Sequence, residues 1–545
     1  MEVPMRPTSN PRRRALRRKV LTAVAGVTLL AGVACSPAAA RAPQGGDGAG
    51  PGCSSSTWTQ PNADKAGTRN MRTAIDSTSV DALTRKWTVP LLPIPNDRWP
   101  GRHATTPVIV DDVVYTQDLD SNVYAIELET GRQLWTARYD SYTNGPNGVA
   151  VDDGIVLGAT KTEAFGLDAK TGREVWKKSL IRNKNEAIDM APGVHDGTMY
   201  ISTVPSFLDG ATAAGSVGTV WAMDAKTGKT KWRWNTVPTD LWGNPEINGG
   251  GGLWYPPTFD DEGFMYVAVA NPTPFLGSEE HPWASSRPGP NLYTNSIVKL
   301  DTRDGKVVWH QQEVPHDIYD WDLQNSPMLA TVEGREVVVA SGKPGFVYIY
   351  DRKSGERLHK TPVGKHNGHD DDNLKAMRGE KMPPFPIEIF PGVLGGVAAP
   401  GAVDGNTAFF AVNNMKATWP KPSPPPIFPA FTDGVGEVAA VDLVTGKVKW
   451  SAPTPESPYG AATVTNDLVF TTTFDGTVYG FNTETGEQEW QEKLRGSTNS
   501  PIVVQGDWLV TAAGWPQAED EKAEIVAYKL DRGKPAAADA AVPEC

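Results

Sequence analysis

The stretch from Glu313 to Pro327, "EVPHDIYDWDLQNSP", gathers His316, Asp317, Tyr319, Asp320, Trp321 and Asp322 into one connection. Carboxylates so spaced can take a proton from a substrate or share a hard cation through an Asp-x-Asp pair. Either role requires that they be held beside something, because an Asp-x-Asp on an open loop is ordinarily solvated. The same holds for "GKHNGHDDDN" (364–373), whose plainer reading is a solvated acidic loop. Hydrolysis has little support, since neither G-x-S-x-G nor H-E-x-x-H occurs. No C-x-x-C-H is present to attach a c-type haem.

The elements that must position these residues form a repeat. Strands ending in D-x-x-T-G-x-x-x-W recur as "AIELETGRQLW" at Trp135, "GLDAKTGREVW" at Trp176, "AMDAKTGKTKW" at Trp232 and "KLDTRDGKVVW" at Trp309. "IYDRKSGERLH" follows with His359 in the tryptophan place, then "AVDLVTGKVKW" at Trp450 and "GFNTETGEQEW" at Trp490. "AYKLDRGKP" begins a further copy, and "DALTRKW" at Trp87 is an orphan closing segment at the other end. In each unit the glycine marks a tight hairpin turn between runs with period-two apolar residues. Each unit predicts a four-stranded antiparallel sheet that cannot bury both faces alone, so radial stacking is required. Seven internal copies and one split between the chain ends predict an all-β, eight-bladed propeller over 58–532. Insertions at 235–266, 272–295 and 360–400 would gather at one end and build a site there.

The flanking segments are of other kinds. Residues 1–42 read as an export signal, with a twin-arginine-like basic region in "PRRRALRRKVL" and an apolar run from Val20 to Ala34 too short for a comfortable membrane span. "LLAGVAC" offers Cys35 for lipidation and "AAARA" offers ordinary cleavage; a lipid on Cys35 would be the only membrane tether. Residues 43–57 are a Gly/Ser/Pro-rich tether and 533–545 a tail. Both cleavage readings predict an exported, extracellular or envelope protein. In an oxidising compartment Cys53 and Cys545 could pair and join the ends; two unpaired terminal thiols are the alternative. With 64 acidic against 52 basic residues, and seven basic residues against one acidic within residues 1–34 of the leader, the mature chain is more acidic still and a poor match for nucleic acid.

The repeats and insertions together resemble the quinoprotein alcohol dehydrogenase family, eight-bladed propellers that hold pyrroloquinoline quinone (PQQ) on their axis. The likeness runs from about Trp58 to Leu530. Pro315-His316-Asp317-Ile318-Tyr319-Asp320 is similar to the family's P-H-D-x-W-D loop, which implies Asp320 as general base. Asp322 is similar to the extra carboxylate of the lanthanide-using versions. By the same resemblance "GGGGLWYPPTFD" implies Trp254 as the floor under the quinone, "YVAVANPTP" implies Asn271 as a metal ligand beside Asp320 and Asp322, and "SGKPGFVYIYDR" implies Lys343 as a cation against quinone and base. "LGATKTEAF", "FFAVNN", "SPYGAAT" and "AAGWPQ" place Thr160, Asn413, Tyr459 and Trp515 around the cofactor.

The chain also departs from the family pattern. Ser141 and Tyr142 stand where the family has adjacent cysteines, Asn147 where it has an arginine, and Ala213 where it has the glutamate that completes the metal site, with Asp209 four residues earlier. What the resemblance implies is an exported PQQ-dependent dehydrogenase with calcium or a lanthanide, oxidising a small-molecule or polymeric alcohol and passing electrons to an external acceptor such as a cytochrome. A non-catalytic propeller of the same ancestry, binding or scaffolding envelope components, is the alternative.

Overall fold

Around a common axis stand eight antiparallel sheets built on four strands each; in seven of them the strands follow one another in sequence order from inside to outside. The first comprises Val108–Val110, Val113–Gln117, Val123–Glu127 and Gln133–Ala137. The third adds a short strand, Glu186–Ala187, at its inner edge. The computed structural model describes residues 57–531, apart from 94–100, 144, 207–212, 422–425, 428 and 519–520. The leader, nearly all of the tether and the tail lie outside the described residues, as do Cys35, Cys53, Cys545 and Asp209. The eighth sheet joins the two ends of the repeat region. Leu83–Pro90 pairs with Glu524–Leu530, in register from Leu83–Leu530 to Pro90–Glu524. The complementary fragments read from the sequence therefore share one blade.

The repeating tryptophans weld neighbouring blades. The indole N–H of Trp135 donates to Ala169 O at 3.0 Å, and Trp176 to Ala225 O at 2.9 Å. Trp87, Trp232, Trp309 and Trp450 make the equivalent bond to the next blade. Each ring lies on the turn glycine of that next blade, as Trp135 does on Gly172. The Thr-Gly turn thus has a second use that the repeat alone did not show. His359 keeps the arrangement: its Nε2 lies 3.1 Å from Val444 O and its ring sits on Gly446.

One end of the axis is closed by the segment before the first blade. Its main chain circles the axis, meeting one blade after another in chain order. Trp58 pairs with Ile109, Thr59 O accepts from Val151, Gln60 Oε1 from Val194, and Lys65 O from Phe259. Ala66, Thr68 and Arg69 then accept from Leu329, Val403 and Val464, and Ala74 donates to Gly506 O in the eighth blade. Arg69 fills the middle, fully buried, donating to Pro61 O, Ala462 O and Ile502 O and to the hydroxyls of Thr106 and Thr463. Burial without a carboxylate partner brings its pKa down to about 9. With this end plugged, a ligand must enter from the other.

Candidate active site

At the open end the long connections pack on one another and form a small separate core. Ile318, Tyr319 and Trp321 of the acidic loop meet Leu276 from one insertion and Ile387, Ile389 and Trp419 from others. The expectation that insertions gather at one end is met by 272–295 and 360–400. The buried Arg287 ties this layer together by donating to Pro274 O, Phe275 O and Asp317 O.

The loop itself is wound around Asp317, which is fully buried. Its carboxylate accepts the main-chain N–H groups of Tyr319 and Trp321, at 3.0 and 3.1 Å. Burial pushes its pKa up. Asp317 and the adjacent His316, whose ring lies 3.1 Å from the carbonyls of Gly289 and Trp283, therefore shape the turn. Tyr319 is pinned through its hydroxyl to Asp372 Oδ2 at 2.8 Å, and Trp321 through its indole to Pro391 O at 3.0 Å. Between these two anchored rings Asp320 takes a left-handed backbone, φ 63°. Such a conformation is uncommon for a non-glycine residue and persists only where its surroundings enforce it.

So presented, Asp320 enters a four-residue network. Its Oδ1 accepts from Asn271 Nδ2 at 2.8 Å and its Oδ2 from Lys343 Nζ at 2.8 Å. The same ammonium donates to Asp322 Oδ2 at 2.7 Å, and Asp322 Oδ1 accepts the main-chain N–H of Asn271 at 2.9 Å. Burial pushes the Asp320 carboxyl up to about 7; Lys343 opposes that shift and the charge of Asp322 adds to it. Burial alone would lower the Lys343 pKa, but Asp320 and Asp322 outweigh it and keep the ammonium protonated.

Beside the network lies an axial cavity walled by Tyr255, Tyr459 and Trp515, with Pro146, Ala398 and Asn499 between them. Tyr459 donates its hydroxyl to Leu394 O at 2.9 Å and meets Phe431 edge-on, at 5.6 Å between centroids. Asn413 pairs its main chain with Gly396, which packs against Lys343. Trp254 is half-buried and directly precedes the cavity-lining Tyr255. Thr160 stands differently. Its hydroxyl is engaged in its own turn, accepting from Glu163 N at 3.0 Å. Sequence reasoning missed Tyr255 and Asn499, as well as Asp372 with its partners His369 and Lys375. Tyr255 adjoins the assigned Trp254, and Asp372 lies in the acidic stretch 364–373 read as solvated, where it is in fact buried; Asn499 sits in a segment with no distinguishing pattern.

Residues 182–367 match the family described as glucose/ethanol/alcohol dehydrogenase, beta-propeller domain. Residues 87–208 and 398–540 match the one described as outer membrane protein assembly factor BamB. The quinohemoprotein alcohol dehydrogenase of Comamonas testosteroni is 28% identical over 84% of this chain and 72% of its own length. The chain is thus similar to PQQ-dependent alcohol dehydrogenases over most of its length. The crystal structure of the Comamonas enzyme matches this propeller with a TM-score of 0.73 at 25% identity, covering 90% of this chain and 82% of that one. A europium-containing methanol dehydrogenase shares the fold, with a TM-score of 0.71 at 19% identity over 88% of this chain and 99% of that one.

The family's two implied groups fare differently against the residues present. Buried polar atoms are usually paired. Among the described residues, Asn499 Oδ1 in this cavity and Asn147 Oδ1 in the pocket adjoining it have no partner, and neither have both amide atoms of Asn413 or the Tyr142 hydroxyl. Unpaired polar atoms beside flat aromatic walls fit a planar, polar ligand such as PQQ. The expected metal ligands Asn271, Asp320 and Asp322 do come together, but around the Lys343 ammonium rather than an open centre. Ala213 supplies no carboxylate, and no group of three His, Cys, Asp or Glu among the described residues could hold a metal ion. The donor set therefore does not fit a calcium or lanthanide site.

Proposed function

We propose that the protein is an exported, PQQ-dependent dehydrogenase that oxidises an alcohol and passes the electrons to a separate acceptor such as a cytochrome. The observation that carries this reading is the pairing of Asp320 with Lys343, whose charge reaches Tyr255 and Tyr459 of a cavity that also holds the unpaired Asn499 Oδ1. Bound there, PQQ supplies an electrophilic quinone that accepts a hydride. The chain's own residues do the rest. Asp320, when ionised, accepts the hydroxyl proton of the alcohol as the hydrogen on the alcohol carbon leaves with both electrons of its C–H bond and the carbon becomes a carbonyl. Lys343 steadies negative charge next to that proton transfer, and Asn271 fixes the carboxylate's other oxygen. Trp254, Tyr459 and Trp515 hold a flat ring, Asn413 offers it an amide, and the packed lid excludes water.

Export and tethering rest on the leader of the sequence, and the choice between a small and a polymeric alcohol is left to assay. Titration of the purified protein with PQQ, followed by dye reduction with simple and polymeric alcohols, tests the reading. Saturable binding and alcohol-dependent reduction are expected. Asp320→Asn should lower turnover by about 10²–10⁴, the usual worth of a general base, while the bound-quinone spectrum is unchanged. Absence of PQQ binding would sink the proposal and leave a propeller without redox chemistry.

A further inference from the structure

We propose that Lys343 is the resident cation of the Asp320–Asp322 pair, so that the protein takes up its ligand without calcium or a lanthanide. The inference rests on the reading of the cavity as a cofactor site, but its test does not depend on quinone binding or turnover. All four carboxylate oxygens of the Asp320–Asp322 pair already have a donor from the protein. Lys343 Nζ serves one oxygen of each, at 2.8 and 2.7 Å. Asn271 serves the other two, Asp320 through its side-chain amide and Asp322 through its main-chain N–H. An amide can be turned over to present its oxygen, but a main-chain N–H cannot. An entering metal ion would therefore displace at least the ammonium and would still face a main-chain donor.

Charge points the same way. Calcium takes 6–8 oxygen ligands, and tight sites use several carboxylates. Here two carboxylates share one ammonium, and the third position of the family pattern is Ala213, buried and without a side-chain oxygen. The side chain of Lys343 is only 14% exposed and that of Asp322 3%, so solvent offers little screening. An ammonium in that setting repels a second cation strongly at short range. It also supplies three N–H donors, of which two are used, leaving one for an oxygen of a ligand in the cavity.

Terbium is the probe. Trp321 lies between Asp320 and Asp322 in sequence, so an ion held by both would be excited through indole. Protein free of quinone should show no saturable sensitised emission into the millimolar range, and calcium should not shift its unfolding temperature. Lys343→Met frees both carboxylates and should bind terbium at least about 100-fold more tightly than the wild type, whereas Lys343→Arg should remain silent. Saturable emission from the wild type that disappears in Asp322→Asn overturns the proposal. So does a folded Lys343→Met, verified by circular dichroism, that stays silent. The wild-type titration decides the matter even if that variant does not fold, and failure of PQQ to bind would count against the proposed function alone.

Discussion

Gly154 and Gly172 lie in the same blade and adopt nearly the same backbone, with φ of 77° and 69°. They differ in what an added methyl group would meet. At Gly154 nothing lies within 4 Å of an ideal Cβ, whereas at Gly172 it would stand 2.6 Å from Cδ2 and Cε3 of Trp135. Alanine at either position carries the left-handed penalty, roughly 1–2 kcal/mol. Only Gly172→Ala must also lift the indole from its seat. Overpacking of that kind costs about 1–3 kcal/mol. It also endangers the bond from Trp135 to Ala169 O, worth about 1 kcal/mol net. Gly172→Ala should therefore be less stable than Gly154→Ala by about 2–4 kcal/mol. Urea unfolding of both variants, followed by tryptophan fluorescence and circular dichroism, measures the difference directly because the backbone term cancels. A difference below about 0.5 kcal/mol, the scatter of ordinary surface substitutions, would refute the ring-seat account of blade docking.

Other expectations follow from the same geometry. His359→Trp restores the larger ring over Gly446 while keeping a donor for Val444 O, and should raise stability by about 1 kcal/mol in the same urea assay. Turnover with PQQ should rise with pH through about 7, as Asp320 loses its proton, and then level; a profile flat from acid to neutral pH would remove Asp320 as the base. The same shift has the opposite sign for stability. Because the folded protein holds that proton more tightly than the unfolded chain, Asp320 contributes a loss of stability as pH rises from 3.8 to about 7. Asp320→Asn should flatten that part of the pH–stability curve. Tyr319→Phe removes one donor from the buried Asp372 and loosens the turn that presents Asp320. It should cost about 1.5–3 kcal/mol of stability and lower kcat more than it raises KM; an unchanged kcat would confine Tyr319 to the lid.

Much of the architecture could be read along the chain because a propeller blade is a local object. Hairpin turns, alternating strands and the closing tryptophan all fall within about 40 residues in blades without insertions, and the pairing of Leu83–Pro90 with Glu524–Leu530 followed from two incomplete copies. His359 was recognisable as a substituted tryptophan for the same reason. The circling segment at 58–75 was not legible as a plug. Its hydrogen bonds run to eight separate blades, and nothing in "TWTQPNADKAGTRNMRTAI" shows that Arg69 will find carbonyls more than 390 residues away. Nor could the loop reading reveal that Asp317 would be consumed as a turn cap while Asp320, three residues on, would be pushed into a left-handed backbone.

By itself, then, the sequence determined which residue types reach the axis. The repeat period sets where each blade begins, and the insertions set which carboxylates, amides and aromatic rings stand above them. What the tertiary structure alone decided is how those groups satisfy one another. Lys343, Asp320, Asp322 and Asn271 come from different blades and connections, and only the closed ring brings one ammonium within bonding distance of two carboxylates. The physical reason is that charge balance in a buried site depends on distances of a few ångströms between segments far apart in the chain. A one-dimensional pattern can name the charges but cannot show which of them neutralise each other before any ligand arrives.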